Sequence, residues 1–237
     1  DRTAHRIYGP AVSRPAPEGE GLVSSGTDVW SKKAGVPVIN EFYKKGDYHR
    51  DHGNGLDMYN VGPGRGCGGI AVFRDGKAHV SGNWAKVRTL YNGPVQTAFE
   101  VSYAPWNVGG GMKAVETRKV TLDAGSHFTR VRSSVTLNGG NSSEIRVGAG
   151  LDTGKKRNSY EVVTADREAG IMAAWSRPKD GEGCSYWTRS MKSGNSFDWY
   201  MGAVWSKASP VKSAEQWEKE VRRVRDCIRT PLQVKVR

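Results

Sequence analysis

Residues 48–59 read YHRDHGNGLDMY and gather most of the side-chain types that move protons. Two of the chain's five histidines, His49 and His52, lie within four residues of each other. Asp51, Asp57 and Tyr59 complete the set. A histidine titrates near neutral pH, and a neighbouring aspartate fixes its tautomer and raises its basicity. In extended chain, residues two apart share a face, which pairs His49 with Asp51 and Asp57 with Tyr59. The glycines of HGNG allow the backbone to approach a ligand closely. The same residues, His49, Asp51, His52 and Asp57, also offer nitrogen and oxygen donors to a divalent cation such as calcium or zinc. However, H-x-D-H matches no strong zinc spacing, and no distant Cys/His pair completes a site, so no metal is assigned. A polar surface turn is the third reading of the stretch.

Tryptophan is the second signal, with eight in 237 residues. Trp217 falls in a helical stripe, and Trp199 and Trp205 alternate with apolar strand residues, which places them in the core. Trp84, in SGNWAK, and Trp106, in YAPWNV, sit beside Gly, Asn or Pro, where indoles can stack on sugar rings. His5, His79 and His127 stand alone and read as structural or exposed.

The elements that must position these groups read as strands. IAVFRDGKAHV (70–80) holds Asp75-Gly76 between apolar runs, a hairpin signal. VQTAFEVSYA (95–104) alternates, and AVETRKVTLDAG and FTRVRSSVTLNGG close on glycine turns. IRVGAGL, YEVVTAD, GIMAAWS, DWYMGAVW and LQVKV continue the series. Ser213 and Gln216 form a capping box, Trp217, Val221, Val224 and Ile228 recur at helical spacing, and Pro231 ends the run. The pattern predicts an all-β antiparallel β-sandwich of one domain, residues 1–237, with one C-terminal helix docked on a sheet. The first residues read as a strand entered midway, so a preceding strand is expected to be missing.

Composition narrows the function classes. No apolar run approaches the roughly 20 residues that span a bilayer, and DRTAHRIYGP lacks the apolar core of a signal peptide. Cys67, Cys184 and Cys227 are too few and too far apart for a disulfide framework or zinc ribbon. Buried thiols are the expectation at Cys67 and Cys184, with one disulfide left open. The formal charge of +12 favours an anionic partner. Its basic residues are dispersed, with one tight cluster at 155–157, read as a solvated turn. G-x-G-x-x-G after a strand, Walker A, G-x-S-x-G, H-E-x-x-H and EF-hand loops are all missing. Nucleic-acid motifs are missing too, and no nucleic-acid partner is expected.

SGTDVWSKK, VPVINEFY, YHRDHGNGLDMYNVGPGRGCGGIAVF, NGPVQTAFEVSYAPW and RKVTLDAGS resemble, in order, a bacterial domain-of-unknown-function family, number 4861. The resemblance continues through VTADREAGIMAAW to the SAEQW helix and RTPLQV. It implies a galactose-mutarotase-like super-sandwich found beside enzymes that degrade pectin and other uronate glycans. Gln96 departs from the family pattern, which often has arginine there.

The combined expectation is a periplasmic or secreted enzyme acting on acidic, uronate-containing polysaccharide or oligosaccharide, first of all a lyase. β-Elimination needs a base for the C5 proton, an acid for the leaving oxygen and a cation on the carboxylate. His49 or His52 is the expected base, Tyr59 the acid, and Arg65, Lys32 or Lys33 the cation. Asp57 would orient a histidine or hold a sugar hydroxyl. Trp84 and Trp106 would form the stacking platform, with Asp28, Trp30 and Asn83 as further substrate contacts. Glycoside hydrolysis, with a carboxyl pair drawn from Asp28, Asp51 and Asp57, is the alternative. Sugar epimerisation and a non-catalytic carbohydrate-binding module are the others.

Overall fold

Among the described residues of the computed structural model, fifteen strands and two α-helices make the fold. The structure describes residues 2–57, 61–139, 144–152, 161–166, 171–175, 184–205 and 207–233, with the course of the strands alone over 161–166, 171–175 and 184–188. The strands are β1 (Thr3–Ile7), β2 (Thr27–Lys32), β3 (Gly55–Asp57), β4 (Ile70–Arg74), β5 (Lys77–His79), β6 (Trp84–Asn92), β7 (Gln96–Tyr103) and β8 (Trp106–Asn107). They continue as β9 (Lys113–Asp123), β10 (Phe128–Asn138), β11 (Glu144–Asp152), β12 (Glu161–Asp166), β13 (Ile171–Trp175), β14 (Cys184–Lys192) and β15 (Ser196–Val204). The helices are α1 (Ile39–Lys45) and α2 (Ala214–Arg229).

The strands form three sheets. The largest runs β12-β13-β15-β10-β9-β7-β6, with β8 attached to β9; a second runs β14-β11-β4-β5; a third is β1-β2-β3. Pairing is antiparallel apart from the parallel pair β13 and β15. Alternation makes the core. Val101 and Tyr103 of β7, Val131 and Val135 of β10, and Trp199 and Met201 of β15 turn inward against Val72, Val147, Ala149 and Leu151 of the second sheet. Two sheets burying one apolar face each give the sandwich-like, all-β architecture expected from the strand pattern.

Within the core lies a buried ion pair. Glu116 and Arg118, two apart on β9, are both inward and almost fully buried. Arg118 Nε and Nη2 donate to Glu116 Oε1 and Oε2 at 2.9 and 3.0 Å. Ser133 Oγ donates to the same carboxylate at 2.6 Å, and Trp199 Nε1 donates to Ser133 at 3.0 Å. The guanidinium packs over the rings of Tyr103 and Trp199. Such a pair is retained only with its lone pairs and N–H groups satisfied, which this network does.

Local signals explain the connections. The β4–β5 hairpin turns at Asp75 and Gly76, both with positive φ, which is the turn an Asp-Gly pair favours. Helix α2 starts at Ser213, whose hydroxyl accepts from Gln216 N–H, while the Gln216 side chain accepts from Lys212 N–H. Trp217 and Val221 are buried by it, and Trp217 stacks on Phe128 at 5.2 Å.

Three expectations need correction. Helix α1 was not foreseen: it is seven residues long, buries only Phe42, and ends on Gly46 in the left-handed conformation. Strands β2, β3, β6, β8 and β14 were also missed. Of the closing LQVKV, residues 232–236, Leu232 and Gln233 are not in a strand and Leu232 is exposed, while 234–236 lie outside the described residues. Among the described residues, no helix is long and apolar enough to cross a membrane.

Candidate functional site

The three-stranded sheet assembles the site. Register sets Arg6 opposite Asp28 and Trp30 opposite Asp57, so these four residues share one face of the sheet. Gly55 begins β3 because its α-carbon passes so close to the Ser31 carbonyl that a side chain would not fit. The loop before β3 is drawn shut by Asp57 N–H donating to the Tyr48 carbonyl at 2.7 Å. That closure brings His49 back over Asp57.

His49 Nδ1 lies 3.5 Å from Asp57 Oδ2 and 3.2 Å from the Asp57 carbonyl oxygen. The histidine side chain is 70% exposed and the carboxylate 5% exposed. Both neighbours of Nδ1 are acceptors, so the neutral ring carries its proton there and presents a basic Nε2. The ring also leans on Tyr48, at 4.6 Å. Tyr48 in turn stacks on Trp30, which contacts Phe42 and Tyr43 of α1.

Arg6 caps this aromatic group. Its guanidinium lies 5.0 Å from the Tyr8 ring centre and 5.8 Å from that of Tyr43. It donates to Glu20 at 2.6 Å. Burial disfavours its charge, but the Glu20 hydrogen bond and the nearby phenols outweigh that and hold it above the ordinary arginine value. Burial raises the Tyr43 and Tyr48 hydroxyls, so both stay protonated at neutral pH. Arg6, Trp30, Tyr43 and Trp84 line a shared cavity of about 270 Å³.

Asp28 sits beneath. It accepts from Val29 N–H at 2.8 Å, Trp30 Nε1 at 3.0 Å and the Tyr8 hydroxyl. Burial still wins over those donors and pushes its carboxyl up to about 6. At 2% exposure it supports the site from behind and does not reach solvent.

Several expected groups are elsewhere. His52 is turned away, with Nε2 at 2.8 Å from the Asp47 carbonyl. Asp51 accepts from Gly53 N–H and pairs with Lys207, not with His49. The four residues offered to a cation therefore do not gather, and the described residues contain no metal-sized group of three His, Cys, Asp or Glu. Arg65 is buried, donating to Ser25 Oγ at 2.6 Å and to the Pro63 carbonyl. Lys32 is buried at the sheet edge, where desolvation lowers its pKa, and Lys33 is exposed.

The aromatic expectations divide. Trp106 is buried in the core and offers no stacking face, and Trp30 is 1% exposed, a floor for the site and not a sugar contact. Trp84 is half-buried over Gly9 and does line the cavity. Asn83 is spent on the backbone: it accepts from Ser24 N–H and donates to the Gly9 and Leu22 carbonyls. Cys67 is buried and free, its thiol pushed up to about 12 by burial. Tyr59, the 155–157 cluster and the Cys184, Trp175 and Trp187 side chains lie outside the described residues.

Sequence reasoning missed Arg6, Tyr8 and Tyr43, and gave Tyr48 no role. The alternation of Arg6 and Tyr8 in RIY was readable; the partnership with Tyr43 was not, because α1 itself was not.

A sandwich-like β-fold with an exposed histidine near a buried carboxylate, joined through Tyr48 to the Trp30 and Tyr43 rings that line a cavity, is the class this chain defines. The chain belongs to the family described as Domain of unknown function (DUF4861), which it matches over residues 1–234. It is 29% identical, over 268 aligned residues, to an "Uncharacterized protein P7" of Formosa agariphila. All of this chain is covered, and it spans 65% of that relative's length. No solved structure matches it significantly.

Proposed function

We propose that the chain is a carbohydrate-active enzyme that cleaves acidic, uronate-containing glycan by β-elimination. The observation that carries the reading is the His49–Asp57 pair: a solvent-facing imidazole whose Nδ1 meets the Asp57 carbonyl oxygen at 3.2 Å and lies 3.5 Å from its buried carboxylate. That is the arrangement a general base needs. His49 Nε2 removes the C5 proton of the uronate. The electron pair forms the C4–C5 double bond as the C4–O bond breaks, and the leaving oxygen takes a proton. Tyr48 or Tyr43, kept protonated by burial, supplies that proton, as does Tyr59 in the expectation from sequence. Arg6, which lines the cavity while also holding Glu20, replaces the buried Arg65 as the cation facing the substrate carboxylate. Trp84 and Tyr43 form the apolar wall for a sugar ring. The charge of +12 suits a polyanion, and periplasmic or secreted location accompanies such a substrate.

One observation favours a second reading. A carboxyl raised to about 6, Asp28, on the same sheet face as a second carboxylate, Asp57, is a hydrolase-type pair. Its burial and three donors weigh against it.

Incubation with a panel of uronate polysaccharides, followed by ultraviolet absorbance, tests the proposal. A rise from the unsaturated product is expected, lost in His49→Ala and retained in His52→Ala. New reducing ends without absorbance would mean hydrolysis. Binding without turnover would leave a carbohydrate-binding module.

A further inference from the structure

Among the described residues, Arg6 is the one charged side chain in the lining of the aromatic cavity. That charge is already met: Arg6 Nη2 lies 2.6 Å from Glu20 Oε1, and the arginine side chain is 17% exposed. Asp28, opposite Arg6, and Asp57, opposite Trp30, stand on the same sheet face. One cation therefore serves a site with three carboxyl groups around it. Ile7, Ile39, Val87 and Phe99 make much of the remaining wall apolar. The exposed cations Lys33, Lys44 and Arg50 do not line it.

This charge balance bears on what the site can cleave. Elimination from a free uronate builds negative charge beside a carboxylate, so the cation on that carboxylate has to be uncommitted. Here a further carboxylate would meet an arginine that already holds one, against walls that do not solvate charge, and such burial is costly. An ester removes the conflict. Its carbonyl is neutral, and the C5 proton next to it is more acidic than one next to a carboxylate. A single negative charge then develops on the carbonyl oxygen, where preorganised donors stabilise it. Arg6 gives one of its five N–H donors to Glu20 and has others to offer.

We infer that the residue cleaved is a uronate methyl ester and not a free uronate: its carbonyl oxygen accepts from Arg6, and its methyl group packs on the apolar wall. The inference rests on the glycan-cleaving reading above and narrows its substrate. His49 Nε2 takes the C5 proton, and the electron pair forms the C4–C5 double bond as the C4–O bond breaks. The leaving oxygen takes its proton from a tyrosine, and the ester stays intact on the unsaturated product. Free uronates flanking the cleaved residue meet the basic surface outside the cavity.

Each uronate polysaccharide of the panel, offered as the free acid and as its methyl ester, tests it through the absorbance of the unsaturated product. The ester is expected to give a kcat/KM higher by about tenfold or more, the effect of one methyl group in an apolar pocket. Glu20→Gln frees Arg6 for a carboxylate and should lower the ester-to-acid ratio by about tenfold. Equal or faster cleavage of the free acid, or a ratio that Glu20→Gln does not move, would overturn the inference and leave the glycan-cleaving reading standing. Calorimetric titration of His49→Ala with acid and ester forms of the matching oligosaccharides reads the selectivity without turnover. If neither form is cleaved by the parent chain, the cleavage reading fails, and this titration decides the cavity's preference. Tighter binding of the ester supports the inference there, whereas equal or tighter binding of the acid, or no binding of either, overturns it.

Discussion

His49 and Asp57, eight residues apart in the chain, meet with Nδ1 3.5 Å from Oδ2, one side chain in water and the other in the sheet. An exposed surface ion pair contributes little to stability. A carboxylate that orients a base acts on the chemical step. Asp57→Asn is therefore expected to reduce turnover by about 10²-fold or more, with substrate binding retained. Steady-state kinetics with kcat and KM resolved separately checks it.

Trp30 should matter to folding more than to turnover. It is fully packed by Phe42, Tyr43 and Tyr48, and its Nε1 satisfies Asp28. Trp30→Ala is expected to cost about 3–5 kcal/mol, read from urea unfolding midpoints.

Asp28 gives the chain a pH signature. Its folded value is raised above that of an unfolded aspartate, so its contribution to stability is greatest below pH 4 and falls as pH rises through about 6. The parent chain should lose stability relative to Asp28→Asn across that window, by about 2 kcal/mol. Urea unfolding of both proteins at intervals from pH 4 to 7 isolates the difference from the other carboxylates.

His5 acts in the opposite sense. Burial brings it down to about 3, so its neutral form is the folded one. The associated stability is complete above pH 6.5 and is lost as pH falls towards 3. His5→Gln should flatten the acid limb of the unfolding curve, by up to about 4 kcal/mol. Thermal melts across that range check it.

The buried pair in the core is expected to be sensitive to half-removal. Glu116→Gln leaves Arg118 buried without its counter-charge and should cost about 3–5 kcal/mol. Replacing both with apolar residues of similar volume should cost less. Unfolding of the single and double variants gives the comparison.

Much of the architecture was legible because its signals are local. Asp75-Gly76 marks its hairpin through backbone conformation alone, and the Ser213 cap with the Trp217 stripe marks α2. Helix α1 lacked such signals, since seven residues bury a single side chain and make no periodic stripe. Strand β9 shows the limit in another way. Its alternation was evident, but Glu116 and Arg118 occupy the inward phase that polarity would assign to solvent. Each is tolerated only because the other, with Ser133, is there to meet it.

The sequence by itself determined the all-β class, the docking helix, the basic charge and the stretch that carries His49 and Asp57. It could not say which histidine, or which partner. Periodicity paired His49 with Asp51, because alternation concerns only neighbours in extended chain. Tertiary structure pairs it with Asp57, because a backbone hydrogen bond from Asp57 to Tyr48 closes the loop and β2–β3 register fixes the carboxylate beside Trp30. The same closure removes His52 and Asp51 to other partners. Contacts between distant segments depend on register and loop closure, and those are decided by the packing of the whole sheet, not by residue types along the chain.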